Sequence, residues 1–289
     1  MPQWNCSCRN CRDARLGRIR PLTQSSVALG DDEGSCFLIN ASPDVPAQIR
    51  GWRNLQPSFD TVRNNPVSGI LLTNADLDHV LGIFSLREGE RLHIHAPAEV
   101  RKSLDAGFNL TRVMNSFCGV AWHEPPETNF APLIQDEEKP TALLYRAIRL
   151  PGNPPLFDSP AHPGGVHSVA YHFMDRNTGS RLLLAPDVAG CTEALLHAMR
   201  EADAVIFDGT FWSEDELARL KPGSRTASEM GHITIKDTSL PLLKSLGARH
   251  KIYIHINNTN PVLSPHSPER AQVEAAGVQI GQDGFEFVL

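Results

Sequence analysis

The chain has 289 residues, of which 27 are Lys or Arg and 33 are Asp or Glu, so its formal net charge at pH 7 is −6. An acidic balance argues against a nucleic acid as the main partner. No apolar run approaches the roughly 20 residues that a membrane-spanning helix requires, and the N-terminus MPQWNCSCRNC lacks the apolar stretch of a secretory signal. We therefore expect a soluble, cytoplasmic protein with no membrane insertion and no nucleic-acid partner.

Three of the six cysteines crowd into the N-terminal segment, at Cys6, Cys8 and Cys11. A chain of this length buries enough apolar surface to fold without disulfides, so such a cluster favours metal binding in a reducing compartment. Three thiolates on one tight loop suit a structural zinc ion, and three reduced free thiols are the alternative. The remaining cysteines lie among apolar neighbours and are expected in the core: Cys36, Cys118 and Cys191.

Strands and short helices alternate along the first half of the chain. Residues 25–41, SSVALGDDEGSCFLINA, predict two strands joined by an acidic turn, and Asp44 is expected to cap the short helix that follows. An apolar strand over 67–74 leads into a helix over 76–86, and a strand over 91–96 precedes a helix that begins with a proline. This order is typical of an α/β chain.

The second half begins with residues 123–165, which are rich in proline and predict long loops around one or two strands. Regular elements then resume, with strands at 181–188, 203–209 and 251–257 and helices at 191–202 and 235–247. No repeat or linker divides the sequence, so we predict a single domain over residues 1–289. Its strands end in Asp, Asn or His, and open α/β sheets place their sites at such strand ends.

Three strand ends carry the candidate site. The first gives Asp76, Asp78 and His79, the second gives Asp187, and the third gives His255. Imidazole nitrogens with carboxylate oxygens suit Zn, Fe(II) or Mn(II). Either aspartate at 76 or 78 alone also fits a helix N-cap, and the histidine alone fits a hydrogen-bonded core residue. The three clusters together favour a metal site, since each alternative explains only one of them.

The stretch TNADLDH has the register of the HxHxDH motif of the metallo-β-lactamase fold, with Asn74 and Asp76 where the two histidines stand. Asp78 and His79 occupy the Asp–His positions. Longer segments resemble the pyrroloquinoline quinone (PQQ) biosynthesis protein B (PqqB) family: PQWNCSCRNC, LINASPD, LDHVLGIFSLREG, LLLAPDV, FDGTFW, MGHI and HINNTNP. The resemblance implies a four-layer αββα sandwich. The resemblance also implies a strand and a Gly-rich turn before PQWNC, where this sequence has only Met1. We expect either that this first strand is missing from the chain or that the start codon was called late.

The resemblance also implies a ligand set. Asp78, His79 and His255 would bind the metal that is retained, with Asp187 at the bridging position. The other metal position is weakened, because it offers only Asn74, Asp76 and a histidine that is either His162 or His167. Asp76 is then a fourth ligand or an acceptor that orients a histidine. Asp208 and His232 lie where related enzymes place catalytic or proton-transfer groups.

Two histidines and one carboxylate match a non-haem Fe(II) oxygenase, and a single Zn(II) is also compatible. The family's implied role is hydroxylation of the tyrosine moiety of a Glu–Tyr-derived PQQ precursor, which favours iron. A zinc-dependent hydrolase and a non-catalytic carrier of PQQ or its precursor are the alternatives. Expected partners are the small-molecule or dipeptide precursor and other PQQ-biosynthesis proteins, and the oligomeric state is left open, with a homodimer among the options.

For the Cys-rich zinc loop over residues 5–12, the fourth ligand is uncertain. Related folds supply a histidine where this chain has Asn258, and His266 is the other candidate.

Overall fold

The computed structural model describes residues 1–32, 34–57, 60, 62–135, 140–158 and 165–289. These residues form two compact units: the first combines Met1–Thr23 with Arg181–Leu289, and the second is Gln24–Ser180. His162 lies outside the described residues. The single domain over residues 1–289 stays a prediction. Among the described residues, no helix combines the length and the apolar character needed to cross a membrane.

In chain order, the strands are β1 Val27–Gly30, β2 Cys36–Ile39, β3 Gly69–Leu71, β4 Leu92–His95, β5 Val120–His123, β6 Ala131–Ile134, β7 Pro140–Leu150, β8 Ser168–Asp175, β9 Arg181–Ala185, β10 Ala204–Asp208, β11 His250–Ile254 and β12 Gln279–Ile280. The helices are α1 Arg9–Arg15, α2 Val45–Gly51, α3 Leu77–Val80, α4 Ala98–Phe108, α5 Leu110–Asn115, α6 Glu193–Glu201, α7 Glu216–Leu220, α8 Leu240–Ser245 and α9 Pro268–Ala275.

The second unit contains the sheet β1-β2-β3-β4-β5. β1 and β2 pair antiparallel, as the hairpin pattern predicts, and β2 to β5 pair in parallel. Every residue of β2 and β3 is buried. Continuous apolar sequence is what a parallel strand requires when both of its faces are covered, and this explains why these short segments form strands.

A second set of strands in this unit runs antiparallel, with β7 between β6 and β8. Residues 123–165 are predicted to be long loops around one or two strands, and β6 and β7 do lie there. The loops are shorter than predicted, because β7 alone has 11 residues. β8 is missed entirely by the sequence patterns. Six of its eight residues are buried in an unbroken run, so it lacks the polar alternation by which a half-exposed strand is recognised.

The strand predicted over 67–74 is regular only from Gly69 to Leu71, and the helix predicted over 76–86 is α3 followed by a 3₁₀ turn over Leu81–Leu86. Close packing holds this segment. The Ala41 amide donates to the His79 carbonyl at 2.7 Å, and the Gly82 amide donates to the Ala41 carbonyl at 2.9 Å. A Cβ atom on Gly82 would lie 2.1 Å from the Ser42 carbonyl oxygen, so only glycine fits there.

The first unit is built on parallel strands in the order β9, β10, β11, β12. Their carboxyl ends therefore lie along one edge. α6 follows β9 and begins at Thr192, whose side chain accepts a hydrogen bond from the Leu195 amide. The helix predicted over 235–247 is a π turn, Ile235–Ser239, followed by α8.

Two local predictions need correction. Asp44 holds the N-cap position of α2, but its side chain makes no capping bond there; its Oδ2 accepts from the Gln24 amide at 2.9 Å instead. The strand predicted over 251–257 ends at Ile254, so His255 lies just beyond it.

Candidate functional site

In the second unit, the polar residues that follow β3 surround one buried histidine. His79 lies in α3 with its side chain only 1% exposed, and its Nε2 atom is 4.0 Å from Asp78 Oδ2. The Asp78 side chain is 45% exposed. Two ligands at about 2.1 Å from one metal ion are about 3.4 Å apart at the tetrahedral angle. A shared zinc ion would therefore need the exposed Asp78 carboxylate about half an ångström closer to His79.

Asn74 contacts the other nitrogen of the same ring. Its Oδ1 lies 2.7 Å from His79 Nδ1 and also accepts a hydrogen bond from the Asp76 amide at 3.1 Å. Its Nδ2 donates to Asp76 Oδ2 at 3.3 Å. Asp76 occupies the N-cap position of α3 without a side-chain capping bond. Asn74 is thus the residue that lies closest to Nδ1 of the His79 ring. Asp76 contacts Asn74 and, through it, is one step removed from the ring.

In the first unit, His255 follows the end of β11 with a backbone φ of 56°. This left-handed conformation is uncommon for a residue other than glycine and persists where neighbours hold it. Thr210, just after β10, is such a neighbour: its Oγ1 lies 2.8 Å from both the His255 carbonyl oxygen and His255 Nδ1. His255 thus lies outside the strand, and its hydrogen bonds to Thr210 are also what the alternative of a hydrogen-bonded structural histidine requires.

Asp208 and His232 form the centre of the same cluster. The fully buried Asp208 carboxylate accepts from His232 Nδ1 and the Val188 amide through Oδ2, and from the Thr210 amide through Oδ1. Asp187 Oδ1 is 3.4 Å from the same His232 nitrogen. Potential ligand atoms of Asp208, His232 and His255 lie within 4.8 Å of one another. The hydrogen bonds account for this closeness, although the donor set also suits zinc or iron.

Burial and the charge of the neighbouring group shift the pKa values of Asp208 and His232 in opposite directions. Burial alone raises the pKa of Asp208, but the charge of His232 and the hydrogen bond from it outweigh burial and lower that pKa. Burial alone lowers the pKa of His232, but Asp208 and then Asp187 outweigh it and raise that pKa. The two residues therefore stabilise a carboxylate beside an imidazolium.

The N-terminal cysteine cluster lies wholly within the first unit. The sulfur atoms of Cys6, Cys8 and Cys11 lie within 4.8 Å of one another. Asn258 Nδ2 is 3.1, 3.5 and 3.3 Å from these three sulfur atoms in turn. Three sulfur ligands this close together fit a structural zinc ion that takes a fourth ligand from elsewhere.

The Asn258 amide nitrogen donates to these sulfur atoms and has no lone pair for a metal, so this atom is not a fourth ligand. His266 is exposed. Burial raises the pKa of the Cys8 thiol to about 11. Burial also acts to raise the pKa of Cys6, but hydrogen bonds, chiefly with Cys8, outweigh it and lower that pKa. Among the other cysteines, Cys36 is buried as expected. The remaining two, Cys118 and Cys191, are half-buried.

The predicted residues thus fall into two groups. The second unit holds Asn74, Asp76, Asp78 and His79, and the first unit holds Asp187, Asp208, His232 and His255. The ligand set that draws on both units stays a sequence prediction. His167 is buried, with 5% of its surface exposed. Thr210 was missed, although the FDGTFW segment contains it, because a threonine carries no ligand signal of its own.

Comparisons with known proteins give the family. A family model described as a beta-lactamase superfamily domain matches residues 36–256. Coenzyme PQQ synthesis protein B of Cupriavidus taiwanensis is 37% identical, and the match covers 100% of this chain and 95% of that one. The protein of the same name from Stutzerimonas stutzeri is 38% identical with the same coverage.

A crystal structure of Zn(2+)-bound PqqB from Methylobacterium extorquens superposes on this chain with a TM-score of 0.88 at 33% identity. The match covers 100% of this chain and 95% of that one. The metallo-β-lactamase fold expected from the TNADLDH motif is therefore confirmed. The chain belongs to the coenzyme PQQ synthesis protein B family of the beta-lactamase superfamily.

Proposed function

We propose that this chain acts in the biosynthesis of coenzyme PQQ as a metal-dependent enzyme. The observation that carries the proposal is sequence identity of 37–38% over the whole chain with proteins named for that synthesis. The buried His232–Asp208 pair, with its bond of 2.8 Å, supports an enzyme over a carrier. Buried pairs whose pKa values are shifted by a specific charge partner are concentrated at active sites.

The proposed metal ligands are those predicted from the sequence: Asp78, His79 and His255, with Asp187 and Asp76 as further candidates. The zinc in the Methylobacterium extorquens relative supports a metal in this family. Inside the second unit, Asp78 Oδ2 lies 4.0 Å from His79 Nε2, so a small movement of the exposed Asp78 side chain would bring both within reach of one ion. A bound Fe(II) ion would supply the O₂ chemistry that an aromatic hydroxylation needs and that redox-inactive zinc lacks.

The proposed reaction is hydroxylation of the tyrosine moiety of a Glu–Tyr-derived PQQ precursor. One atom of O₂ would enter the ring in place of hydrogen and the other would leave as water, with two electrons and two protons drawn from an external reductant. His232 holds a proton on Nδ1 between the Asp208 and Asp187 carboxylates. An imidazole held in this way can give or take a proton through its other nitrogen, which is the ordinary work of histidine in catalysis. Asp208 orients the ring and stabilises its charged form.

Anaerobic reconstitution separates the two metals. The full chain is loaded with Fe(II) or Zn(II), exposed to O₂ together with ascorbate as the two-electron reductant and a Glu–Tyr dipeptide, and assayed for the hydroxylated product. We expect turnover with iron only, and loss of both iron and turnover in His79→Ala. The matched control is His197→Ala, because His197 lies on α6 with its side chain 63% exposed. Equal turnover with zinc would contradict the iron proposal.

A zinc-dependent hydrolase is the second candidate, and the zinc-bound relative is the observation that favours it. Against it stands Asn74, which occupies a position where the dinuclear motif has a histidine and contacts His79 instead. Zinc-dependent hydrolysis of ester or phosphodiester probes that His79→Ala abolishes would support this candidate over the oxygenase. A carrier would keep precursor binding in the same variant.

A further inference from the structure

We infer that Asn74 is a positioning residue that fixes the ring proton of His79 on Nδ1 and so presents Nε2 as the metal-binding nitrogen. That His79 binds a metal is part of the proposed function, on which this inference rests. The assignment of the ring proton comes from hydrogen bonds among Asn74, Asp76 and His79 in the second unit.

The identity of the Asn74 oxygen follows from a backbone group. The Asp76 amide lies 3.1 Å from Asn74 Oδ1, and a backbone N–H can only donate. The atom it faces must therefore be the carbonyl oxygen of the side chain, which leaves Nδ2 to donate to Asp76 Oδ2 at 3.3 Å. This settles the orientation of the amide group, which is otherwise ambiguous.

The proton on the His79 ring is then assigned as well. His79 Nδ1 lies 2.7 Å from Asn74 Oδ1, and that oxygen can only accept. His79 Nδ1 must therefore carry the hydrogen, and in the neutral ring the lone pair lies on Nε2. This is the nitrogen on the side of Asp78, whose Oδ2 is 4.0 Å away.

Thr73 does not compete for this nitrogen. Its hydroxyl is 3.5 Å from His79 Nδ1, but 3.2 Å from Asn40 Oδ1 and 2.9 Å from Asn40 Nδ2. The hydroxyl accepts from that Nδ2 and donates its single hydrogen to that Oδ1, so it has no hydrogen left for the imidazole. Asn74 alone of these two neighbours is in a position to set the tautomer.

A metal-binding histidine commonly donates its second ring N–H to a fixed acceptor, and loss of that acceptor typically costs 10- to 100-fold in metal affinity. The acceptor at His79 is a neutral amide, so it orients the ring without adding a negative charge. Asn74 thus acts through His79 and needs no contact with the ion.

The test is long-range ¹H–¹⁵N NMR of the histidine rings in the full chain, before and after zinc is removed with a chelator. We expect His79 to show a protonated Nδ1 in both samples. Asn74→Ala should populate the Nε2–H tautomer in the chelated sample and weaken Zn(II) binding roughly 10- to 100-fold. Asn54→Ala, which changes an exposed asparagine of the same unit, should leave the tautomer and the affinity unchanged.

A protonated Nε2 on His79 in the unsubstituted, chelated chain would overturn the inference, and this measurement does not depend on whether the variant folds. An unchanged tautomer in a folded Asn74→Ala protein would overturn it as well. Both readouts come from a ring signal without metal or substrate, so their failure is distinguishable from failure of the proposed reaction.

We infer from an independent observation in the first unit that Thr210 has the same role for His255. Thr210 Oγ1 lies 2.5 Å from Asp208 Oδ1 and 2.8 Å from His255 Nδ1. The hydroxyl has one hydrogen, and two neighbouring oxygens can only accept: Asp208 Oδ1 and the His255 carbonyl oxygen, which lies at 2.8 Å. The hydrogen therefore points to one of these oxygens and not to the imidazole. His255 Nδ1 must then donate to Thr210, which leaves the lone pair on Nε2.

The same NMR experiment tests this assignment with Thr210→Val, which removes the hydroxyl at nearly constant volume, and Thr210→Ser, which keeps it. We expect loss of the fixed Nδ1–H tautomer of His255 in the valine variant only. Thr238→Val is the control, since Thr238 is exposed. A protonated Nε2 on His255 in the unsubstituted chain, or an unchanged tautomer in folded Thr210→Val, would overturn the assignment.

Discussion

His232 Nδ1 donates to Asp208 Oδ2 at 2.8 Å, and the Asp208 side chain has no exposed surface. A buried carboxylate is stable only when it is paired and hydrogen-bonded. Asp208 meets this condition, because two backbone amides donate to it as well. The charged pair is therefore held in place by the first unit. Removing either partner would leave the other buried without its counter-charge, which would lower the stability of the fold.

Replacing Asp208 with Asn should lower the pKa of His232, since the carboxylate is what raises it against the effect of burial. If the pair handles a proton in the proposed reaction, turnover should fall about 10²- to 10⁴-fold. NMR titration of the histidine rings gives the pKa, and product formation gives the rate. Asp215→Asn, at a half-exposed carboxylate paired with Arg219, is the control. A His232 pKa that does not change would contradict the role given to Asp208.

The cysteine cluster predicts about one zinc ion per chain bound outside the proposed active site. Cys11→Ser should abolish this zinc and lower the melting temperature, because metal binding at such a site contributes to folding free energy. Metal analysis and thermal unfolding of the full chain provide the measurements. Cys191→Ser should change neither, as this half-buried cysteine lies apart from the cluster in sequence. Full zinc content in Cys11→Ser would rule the site out.

Gly82→Ala should destabilise the second unit by about 1–3 kcal/mol, the usual cost of forcing extra volume into a packed site. The new Cβ would lie 2.1 Å from the Ser42 oxygen and 2.6 Å from the Val45 side chain. Gly89→Ala is the matched control, since its nearest neighbour would be 3.5 Å away. Denaturant unfolding measures both variants. Equal stability of the two would show that the Ala41–Ser42 loop yields easily, and that His79 is less firmly held than the distances imply.

Glu216 should make the protein less stable as the pH rises. Burial raises the pKa of Glu216 from 4.5 to about 7, although the Thr259 hydroxyl and the Trp212 amide donate to it. The folded state thus binds the proton more tightly than the unfolded state. The contribution is fully present below about pH 4.5 and is lost as the pH rises to about 7, a change of about 3 kcal/mol.

Glu216→Gln removes this titration at the same side-chain size. The unfolding free energy of the unsubstituted chain, measured relative to that of the variant, should fall between pH 4.5 and pH 7. Glu193→Gln, at an exposed position on α6, serves as the control. A constant difference across that range would show that the two donors outweigh burial and keep Glu216 ionised.

Much of this protein could be predicted from local sequence. The TNADLDH register identified the fold, and the alternation of apolar runs with helical segments placed β9, β10 and β11. These features depend on neighbours a few residues apart, which a sequence displays directly. The Asp, Asn and His residues at the strand ends could also be identified from the sequence. Parallel strands have their carboxyl ends along one edge of the sheet, and this edge is where sites are expected.

The tertiary structure decided what each polar group contacts. Thr210 reaches His255, 45 positions along the chain, because β10 and β11 pair in parallel with Asp208 opposite Ile254. Asn74 looked like a degraded ligand, yet its oxygen faces the His79 ring. A hydrogen bond depends on direction over a few tenths of an ångström, and strand register and side-chain packing set that direction. Sequence spacing alone cannot supply it.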